Sequence, residues 1–228
     1  AARHHKMDAT LPYFVPGPPP IGTFGALISL KSPPANRDQL FDLGLSGPVV
    51  GFVVTIAVVA LSVLLGILPN ATQTSQLNQL NQSCNCLSNI DYGLWPGQPL
   101  LLIMISQLTS TVRPGVFLDG QLFFAAQIGA LLTFLNLVPT WQLDGGHISR
   151  AVFGADGHRV ASVIGLLLLF LSGYFTFAIL ILAFMFFSRR GLAGVEPLDD
   201  ISPVSNSRKI LYILGLGMLL LTFAFSPF

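Results

Sequence analysis

The hydrophobic positions of this chain form long apolar runs rather than the alternating patterns of a water-solvated domain. A helix needs roughly 20 apolar residues to cross a hydrocarbon core of about 30 Å. Runs of about that length cover residues 45–68 and 121–139. A third apolar run covers residues 160–187, which is long for one membrane crossing and short for two. A last apolar run covers residues 210–225. The pattern predicts an all-α, multi-pass transmembrane bundle.

The placement of charge favours a tight hairpin within residues 160–187. Arg150 and Arg159 precede this run, and a second basic group that includes Arg189 and Arg208 comes after it. Basic loops stay on the inner side of a membrane. Two such loops require an even number of crossings between them. We therefore expect a turn near Ser172 and Gly173, and a single long helix is the alternative.

Residues 22–31 depart from the helical pattern. This stretch is apolar, contains two glycines and lies between prolines, which is typical of a short strand or hairpin with an exposed edge. The backbone groups of such a strand can be satisfied at membrane depth only where protein or a water-filled cavity surrounds it. The sequence therefore predicts a small membrane-associated β insertion.

The composition excludes several classes of protein. Of the 228 residues, 52% are hydrophobic and 9% are charged, whereas a soluble domain carries about 25% charged residues. A formal net charge of +1 provides no basic surface for nucleic acid. Cys84 and Cys86 are too few for a disulfide-built domain. We expect them to be two loop cysteines, since a metal site would need further ligands.

One ionisable residue lies directly after a predicted span. Asp144 comes after Pro139 and before Gly145 and Gly146, where the proline removes a backbone donor and the glycines let the chain bend. An ionisable side chain at the end of a span is a functional candidate. Together with Asn136, Asp144 indicates a polar pocket; the alternative is that Asp144 only caps the next helix.

These residues resemble the second signature of the site-2 protease family, whose members are intramembrane zinc metalloproteases. The matching pattern is Asn136-x-x-Pro139-x-x-x-Leu143-Asp144-Gly145-Gly146. Residues 1–7 are similar to the end of the first signature, H-E-x-x-H-x-x-A-A-R, and the residues directly after it in the archaeal and cyanobacterial or chloroplast branch. Residues 9–14, 22–34 and 197–200 are similar to the same branch, so the resemblance covers nearly the whole chain.

The resemblance implies roles for a small set of residues. Asp144 would be the third protein ligand of one catalytic zinc ion, beside the two histidines of H-E-x-x-H. Asn136 would be a catalytic residue that hydrogen-bonds the substrate or the oxyanion. The strand edge would pair with an unwound substrate helix. The implied substrate-binding residues are Gly22, Thr23, Phe24, Gly25, Asn136 and Pro139.

The implied function is zinc-dependent endoproteolysis within the bilayer, as in regulated intramembrane proteolysis. Residues 1–159 would form the protease core without its first catalytic helix, and residues 160–228 an accessory set of transmembrane segments. The expected partners are transmembrane protein substrates and the lipid bilayer, with no nucleic acid. The expected location is the cell membrane, or a thylakoid or plastid membrane in a phototroph.

The chain departs from the family at the first signature, because it contains no H-E-x-x-H. His4 and His5 cannot both face one metal ion, since adjacent residues point about 100° apart on a helix. We expect His147 to be a satisfied histidine near a membrane surface, with a place near the mouth of the pocket as the alternative. We expect His158 in an ordinary inside loop. We also expect the missing zinc histidines just before Ala1, which would leave these 228 residues alone as an inactive fragment.

Two other classes of protein are alternatives. A non-catalytic pseudoprotease would keep the same scaffold and bind membrane helices without cutting them. A small-solute transporter would need internal repeats with matching broken helices, and the sequence shows no such repeat.

Overall fold

The computed structural model describes residues 33–65, 98–112, 120–188 and 196–224, and the backbone of residues 13–16 and 23–27. Six helices lie within these ranges: α1 (Arg37–Leu64), α2 (Leu100–Val112), α3 (Gly120–Leu137), α4 (Asp144–Leu171), α5 (Phe175–Phe187) and α6 (Asn206–Thr222). The predictions made for Ala1 to Met7, Gly22, Cys84 and Cys86 concern residues outside these ranges.

Two short strands form an antiparallel pair near the start of the chain. They are β1 (Tyr13–Pro16) and β2 (Thr23–Leu27), with Tyr13 opposite Leu27 and an irregularity between Val15 and Pro16. β2 falls within residues 22–31, where the sequence pattern favours a strand. Within the described ranges the sheet has these two strands, so the outer edge of each is unpaired there.

Two of the described helices are long and apolar enough to cross a membrane. They are α1 and α4, of 28 residues each. Three shorter apolar helices accompany them, at residues 100–109, 121–137 and 175–187. The last of these comes after the predicted turn: α4 ends at Leu171, Gly173 adopts a positive φ of 86°, and α5 begins at Phe175. The break predicted near Ser172 and Gly173 is therefore confirmed.

The first long helix starts earlier than its apolar run predicts. α1 begins at Arg37, with Asn36 as its N-cap accepting a 2.9 Å hydrogen bond from the Gln39 backbone N–H. Pro48, near the start of the predicted span 45–68, lies inside the helix. The early turns carry charged residues, and these are stabilised by ion pairs with other parts of the chain. A hydropathy pattern alone cannot show such pairs.

Small residues let α1 approach its neighbours closely. A Cβ built on Gly44 would stand 2.7 Å from the Asp144 carbonyl oxygen of α4, and one built on Gly51 would stand 3.1 Å from Thr133 Oγ1 of α3. Small residues at such crossings are typical of helix packing in membranes. Buried Leu40, Phe41 and Ile148 fill the space between α1 and α4.

α4 is bent at Gly154. This residue has φ 75° and ψ −166°, so the helix consists of residues 144–153 and residues 155–171. His158 lies in the second part with no exposed surface. The expectation that it lies in an ordinary loop is therefore wrong. The bend at Gly154 brings His158 back over the first part of the helix, where it contacts buried Ser149. Its other hydrogen-bond partner, buried Ser162, lies one turn further along the second part.

Ion pairs join three helices and the segment that precedes α6. Asp200 accepts two hydrogen bonds from the guanidinium of Arg150, at 2.9 and 2.8 Å, and one from Arg37 Nε at 3.0 Å. Arg208 of α6 donates to Asp38 at 2.9 Å and to Asp42 at 2.6 Å, both on α1. We call these six side chains the ion-pair cluster. It fixes the starts of α1 and α6 against the buried part of α4.

Candidate metal centre

The connection between α3 and α4 is short and tightly hydrogen-bonded. The Thr140 N–H donates to the Val138 carbonyl at 2.7 Å, and the Leu143 N–H donates to the Thr140 carbonyl at 3.1 Å. Trp141 adopts a positive φ of 47°, which is uncommon for a residue other than glycine. These turns reverse the chain after Pro139 and place Asp144 at the first position of α4.

The glycine pair after Asp144 allows the start of α4 to lie directly on this connection. A Cβ on Gly145 would overlap the carbonyl oxygen of Leu137 and stand 2.6 Å from that of Val138. A Cβ on Gly146 would overlap the carbonyl oxygen of Trp141 and stand 2.7 Å from that of Thr140. Backbone atoms cannot rotate away as side chains can. The Asp-Gly-Gly order therefore has a steric reason at both glycines.

The Asp144 carboxylate is half-buried and faces α1. A Cβ on Gly47 would lie 3.0 Å from Asp144 Oδ2, so the glycine leaves space beside the carboxylate. No hydrogen bond or ion pair engages this carboxylate within the part of the chain that the structure describes. Its position in the first turn of a helix provides partial compensation for a negative charge, because helix N-termini carry partial positive charge.

His147 lies one turn after Asp144. Its Cβ atom packs beside Gly44 of α1, where a built Cβ would stand 2.9 Å from it. The Nδ1 atom of His147 is buried and makes no hydrogen bond to the described residues. The ring is partly covered, in keeping with a place near Asp144 rather than on an open surface.

The other residues predicted for the site lie in α3, in the connection between α3 and α4, and in β2. Asn136 is exposed in the last turn of α3, and its side chain makes no hydrogen bond to the described residues. Pro139 is half-buried in the connection. Thr23, Phe24 and Gly25 belong to β2, where Gly25 pairs with Val15. The structure thus places Asn136 and Asp144 at the two ends of one short connection.

The described residues can supply one ligand of a zinc site but not the complete set of protein ligands. A catalytic zinc ion takes three protein ligands from His, Asp, Glu or Cys and keeps one position open. Asp144 has the chemistry and the free carboxylate of such a ligand. No group of three side chains of these types comes together within the described ranges.

Two residues near this centre escaped sequence reasoning. Arg150 looks like a basic residue of an inside loop, yet it is 2% exposed and paired with Asp200. The hydrogen bond from Arg150 holds the pKa of Asp200 below its ordinary value, against the opposite effect of partial burial. His158 is the second. The signal that could have found it is its spacing of four residues from Ser162, which is one helical turn.

Comparison with known proteins identifies the class. Residues 11–187 match the family model described as Peptidase family M50. This chain belongs to that family, to which the site-2 proteases belong. No solved structure matches the chain.

Two of three similar curated proteins carry names that agree with this family. The chain is 30% identical over 169 residues to "Probable zinc metalloprotease EGY1, chloroplastic" of Arabidopsis thaliana, covering 73% of this chain and 28% of the relative. It is 28% identical over 159 residues to the protein of the same name from Oryza sativa subsp. japonica, covering 68% and 25%. It is also 30% identical over 149 residues to "DDT domain-containing protein PTM" of Arabidopsis thaliana, covering 64% and 8%. The chain therefore spans 28% or less of the length of each of these relatives.

Proposed function

We propose that this chain forms part of an intramembrane zinc metalloprotease and contributes Asp144 as one ligand of a single zinc ion. The observation that carries the proposal is the half-buried Asp144 carboxylate, which has no partner within the described residues. Burying a carboxylate without compensation is costly, so a bound cation gives this arrangement a physical reason. Zinc would supply Lewis-acid activation of water and of the scissile carbonyl.

The remaining ligands come, on this proposal, from a segment outside the described residues. His158 is held by two serine hydroxyls, and His147 alone cannot complete a three-ligand set. The similarity of residues 1–7 to the stretch directly after H-E-x-x-H supports a signature just upstream in the full-length protein. Without those histidines the 228 residues would be inactive on their own.

Asn136 and the β hairpin are proposed to handle the substrate. The exposed Asn136 amide, at the other end of the connection from Asp144, is free to donate to a substrate carbonyl or an oxyanion. The unpaired edge of β2, which contains Thr23, Phe24 and Gly25, offers backbone groups for strand addition by an unwound substrate segment. Gly22 and Pro139 would lie beside this path.

The proposed setting is a multi-pass bundle in a lipid bilayer. α1 and α4 have the length and composition to cross, and the β hairpin would lie against the bundle at membrane depth. Residues 1–159 would form the protease core and residues 160–228 the accessory segments. The chloroplastic names of the relatives support a plastid or thylakoid membrane in a phototroph, with membrane-anchored proteins as substrates.

Zinc content tests the proposal. We expect the full-length protein, purified in detergent, to hold about one zinc ion per chain by elemental analysis, and Asp144→Asn and Asp144→Ala to lose it together with cleavage of a membrane-anchored substrate. The loss should exceed the 10- to 100-fold effect that is usual for changes beyond the ligands. Asp156→Asn is the matched control, because Asp156 is a carboxylate of the same helix that pairs only with exposed Arg159 in the described structure.

Two outcomes contradict the proposal. If Asp144→Asn keeps zinc and activity, Asp144 is not a ligand. If the full-length wild type holds no zinc, the second candidate becomes the better account. This candidate is a pseudoprotease that keeps the same scaffold and binds membrane helices without cutting them.

A further inference from the structure

Three buried polar side chains behind the candidate metal centre have no role in the function proposed above. Ser149, His158 and Ser162 all belong to α4, and each is at most 1% exposed. A buried imidazole in apolar surroundings costs free energy unless both ring nitrogens find partners. Here both do: Nδ1 lies 2.9 Å from Ser149 Oγ, and Nε2 lies 3.5 Å from Ser162 Oγ.

The bend at Gly154 makes this contact possible. In a straight helix, Ser149 and His158 would be separated by nine residues, or about 13.5 Å along the axis. The positive φ of Gly154 interrupts the helix between them and brings the imidazole back onto the serine. The His158–Ser149 contact depends on this unusual backbone conformation at Gly154, which a histidine that only filled space in the core would not require.

One assignment of donors and acceptors satisfies all of these polar groups. The Trp141 N–H donates to Ser162 Oγ at 3.1 Å, and the Ser149 hydroxyl donates to the Gly146 carbonyl at 2.9 Å. In this assignment the Ser149 proton goes to the Gly146 carbonyl, so Nδ1 of His158 carries the proton and donates to Ser149 Oγ. Nε2 then accepts from the Ser162 hydroxyl. This assignment gives a neutral imidazole in one defined tautomer and satisfies every group in the chain.

Both ends of this chain of hydrogen bonds are backbone groups that flank Asp144. Trp141 precedes it by three residues, and Gly146 lies two residues after it. We propose that His158 is a positioning residue that, through Ser162 and Ser149, holds the Trp141–Gly146 segment from both sides and so fixes the Asp144 carboxylate for its metal ion. The inference rests on the proposed function, because it takes Asp144 as a zinc ligand.

Histidine suits this position because one rigid ring both donates and accepts. Phenylalanine would fill a similar volume with neither function. Asparagine can reproduce the Nδ1–H donor to Ser149 but cannot reach Ser162 in the same way. The 2.9 Å contact on the Ser149 side is short and the 3.5 Å contact on the Ser162 side is long, so the Ser149 side should carry the larger share of the effect.

The test uses two measurements on the full-length protein in detergent. The first is the dissociation constant for zinc, obtained by competition with a chelator. The second is amide hydrogen exchange of the segment that contains residues 139–147, with zinc removed. The variants are His158→Phe, His158→Asn, Ser149→Ala and Ser162→Ala. Ser172→Ala is the control, because Ser172 is also a buried serine at the end of α4 with a hydrogen bond to a backbone carbonyl, 2.7 Å to Leu168.

We expect His158→Phe to weaken zinc binding about 30-fold and Ser149→Ala about 10-fold, within the range known for residues behind metal ligands. Ser162→Ala should have a smaller effect, and His158→Asn should recover most of the loss caused by phenylalanine. The same order should hold for faster exchange in residues 139–147. Ser172→Ala should change neither measurement, even if it lowers the melting temperature.

The outcomes separate this inference from the proposed function. If the wild type binds zinc and His158→Phe binds it equally well in the folded fraction, His158 has only a structural role and the inference is wrong. Exchange in residues 139–147 that is unchanged in His158→Phe contradicts it as well. A wild type that binds no zinc overturns the proposed function first, and the inference with it.

Discussion

A methyl group added at Gly145 should distort the segment that carries Asp144. The Cβ of Gly145→Ala would stand 2.6 Å from the Val138 carbonyl oxygen and would overlap that of Leu137. Since ordinary carbon–oxygen contacts begin at about 3.3 Å, the connection has to open by at least about 0.7 Å. Both obstacles are backbone atoms, so α4 or the end of α3 must move as a unit.

The expected cost comes from this movement. Forcing an extra methyl group into a filled site costs about 1–3 kcal/mol, and alanine regains up to about 1 kcal/mol through its better helix propensity. We therefore expect a net loss of about 1–2 kcal/mol in the free energy of unfolding, which is about 2–8 °C in melting temperature for a domain of about 150–250 residues. Zinc affinity should fall by more than stability alone explains, because the neighbouring Asp144 carboxylate moves with the backbone.

The assay is thermal unfolding of the detergent-solubilised full-length protein, together with its zinc dissociation constant. Gly217→Ala is the control, because a Cβ at Gly217 in α6 has no heavy atom within 4 Å. This control should be as stable as the wild type or more stable by up to about 1 kcal/mol. If Gly145→Ala behaves like Gly217→Ala, close approach of the backbone is not the reason for glycine at this position.

Two further predictions concern the ion-pair cluster and the bend in α4. Asp200→Asn should lower the free energy of unfolding by about 2 kcal/mol. This loss is smaller than for breaking a fully buried ion pair, because Asp200 is partly exposed. Because the folded pKa of Asp200 is lowered, its contribution is complete above the unfolded value of about 3.9 and disappears as the pH falls through the folded value. Melting temperatures of the two proteins should therefore differ at pH 5–8, and the difference should shrink progressively as the pH falls below about 4; a constant difference would refute the assignment. Gly154→Ala should lose about 1–3 kcal/mol in the free energy of unfolding, because φ 75° and ψ −166° lie in a region that essentially only glycine adopts. The same unfolding assay measures this loss with Gly217→Ala as control, and an unchanged stability would contradict the strained geometry.

The candidate ligand could be predicted from the sequence because its evidence is local. The order Leu143-Asp144-Gly145-Gly146 after a span indicates Asp144 as the candidate, and the structure adds a steric reason for the glycines. The turn at Ser172 and Gly173 could be predicted as well, from run length and charge. Both features depend on residues that are close together in the chain.

The features that escaped prediction depend on contacts between distant residues. Arg150 and Asp200 are 50 residues apart, so nothing near Arg150 indicates that it is buried. The charged start of α1 looks like a loop until Arg208, far along the chain, neutralises Asp38 and Asp42. His158 escaped prediction because its charged neighbours, Asp156 and Arg159, are typical of a loop, while the bend at Gly154 turns the imidazole inward.

The length of α1 has a consequence for how water would reach Asp144. Its 28 residues measure about 42 Å, about 12 Å more than the hydrocarbon core of a bilayer. With α1 crossing as proposed, that excess corresponds to about eight residues, the number from Arg37 to Gly44, so the charged turns would project into the headgroup region. Gly44 lies directly against the backbone of Asp144. The carboxylate would thus sit at the boundary between headgroups and acyl chains, where the water that hydrolysis consumes could arrive without crossing lipid.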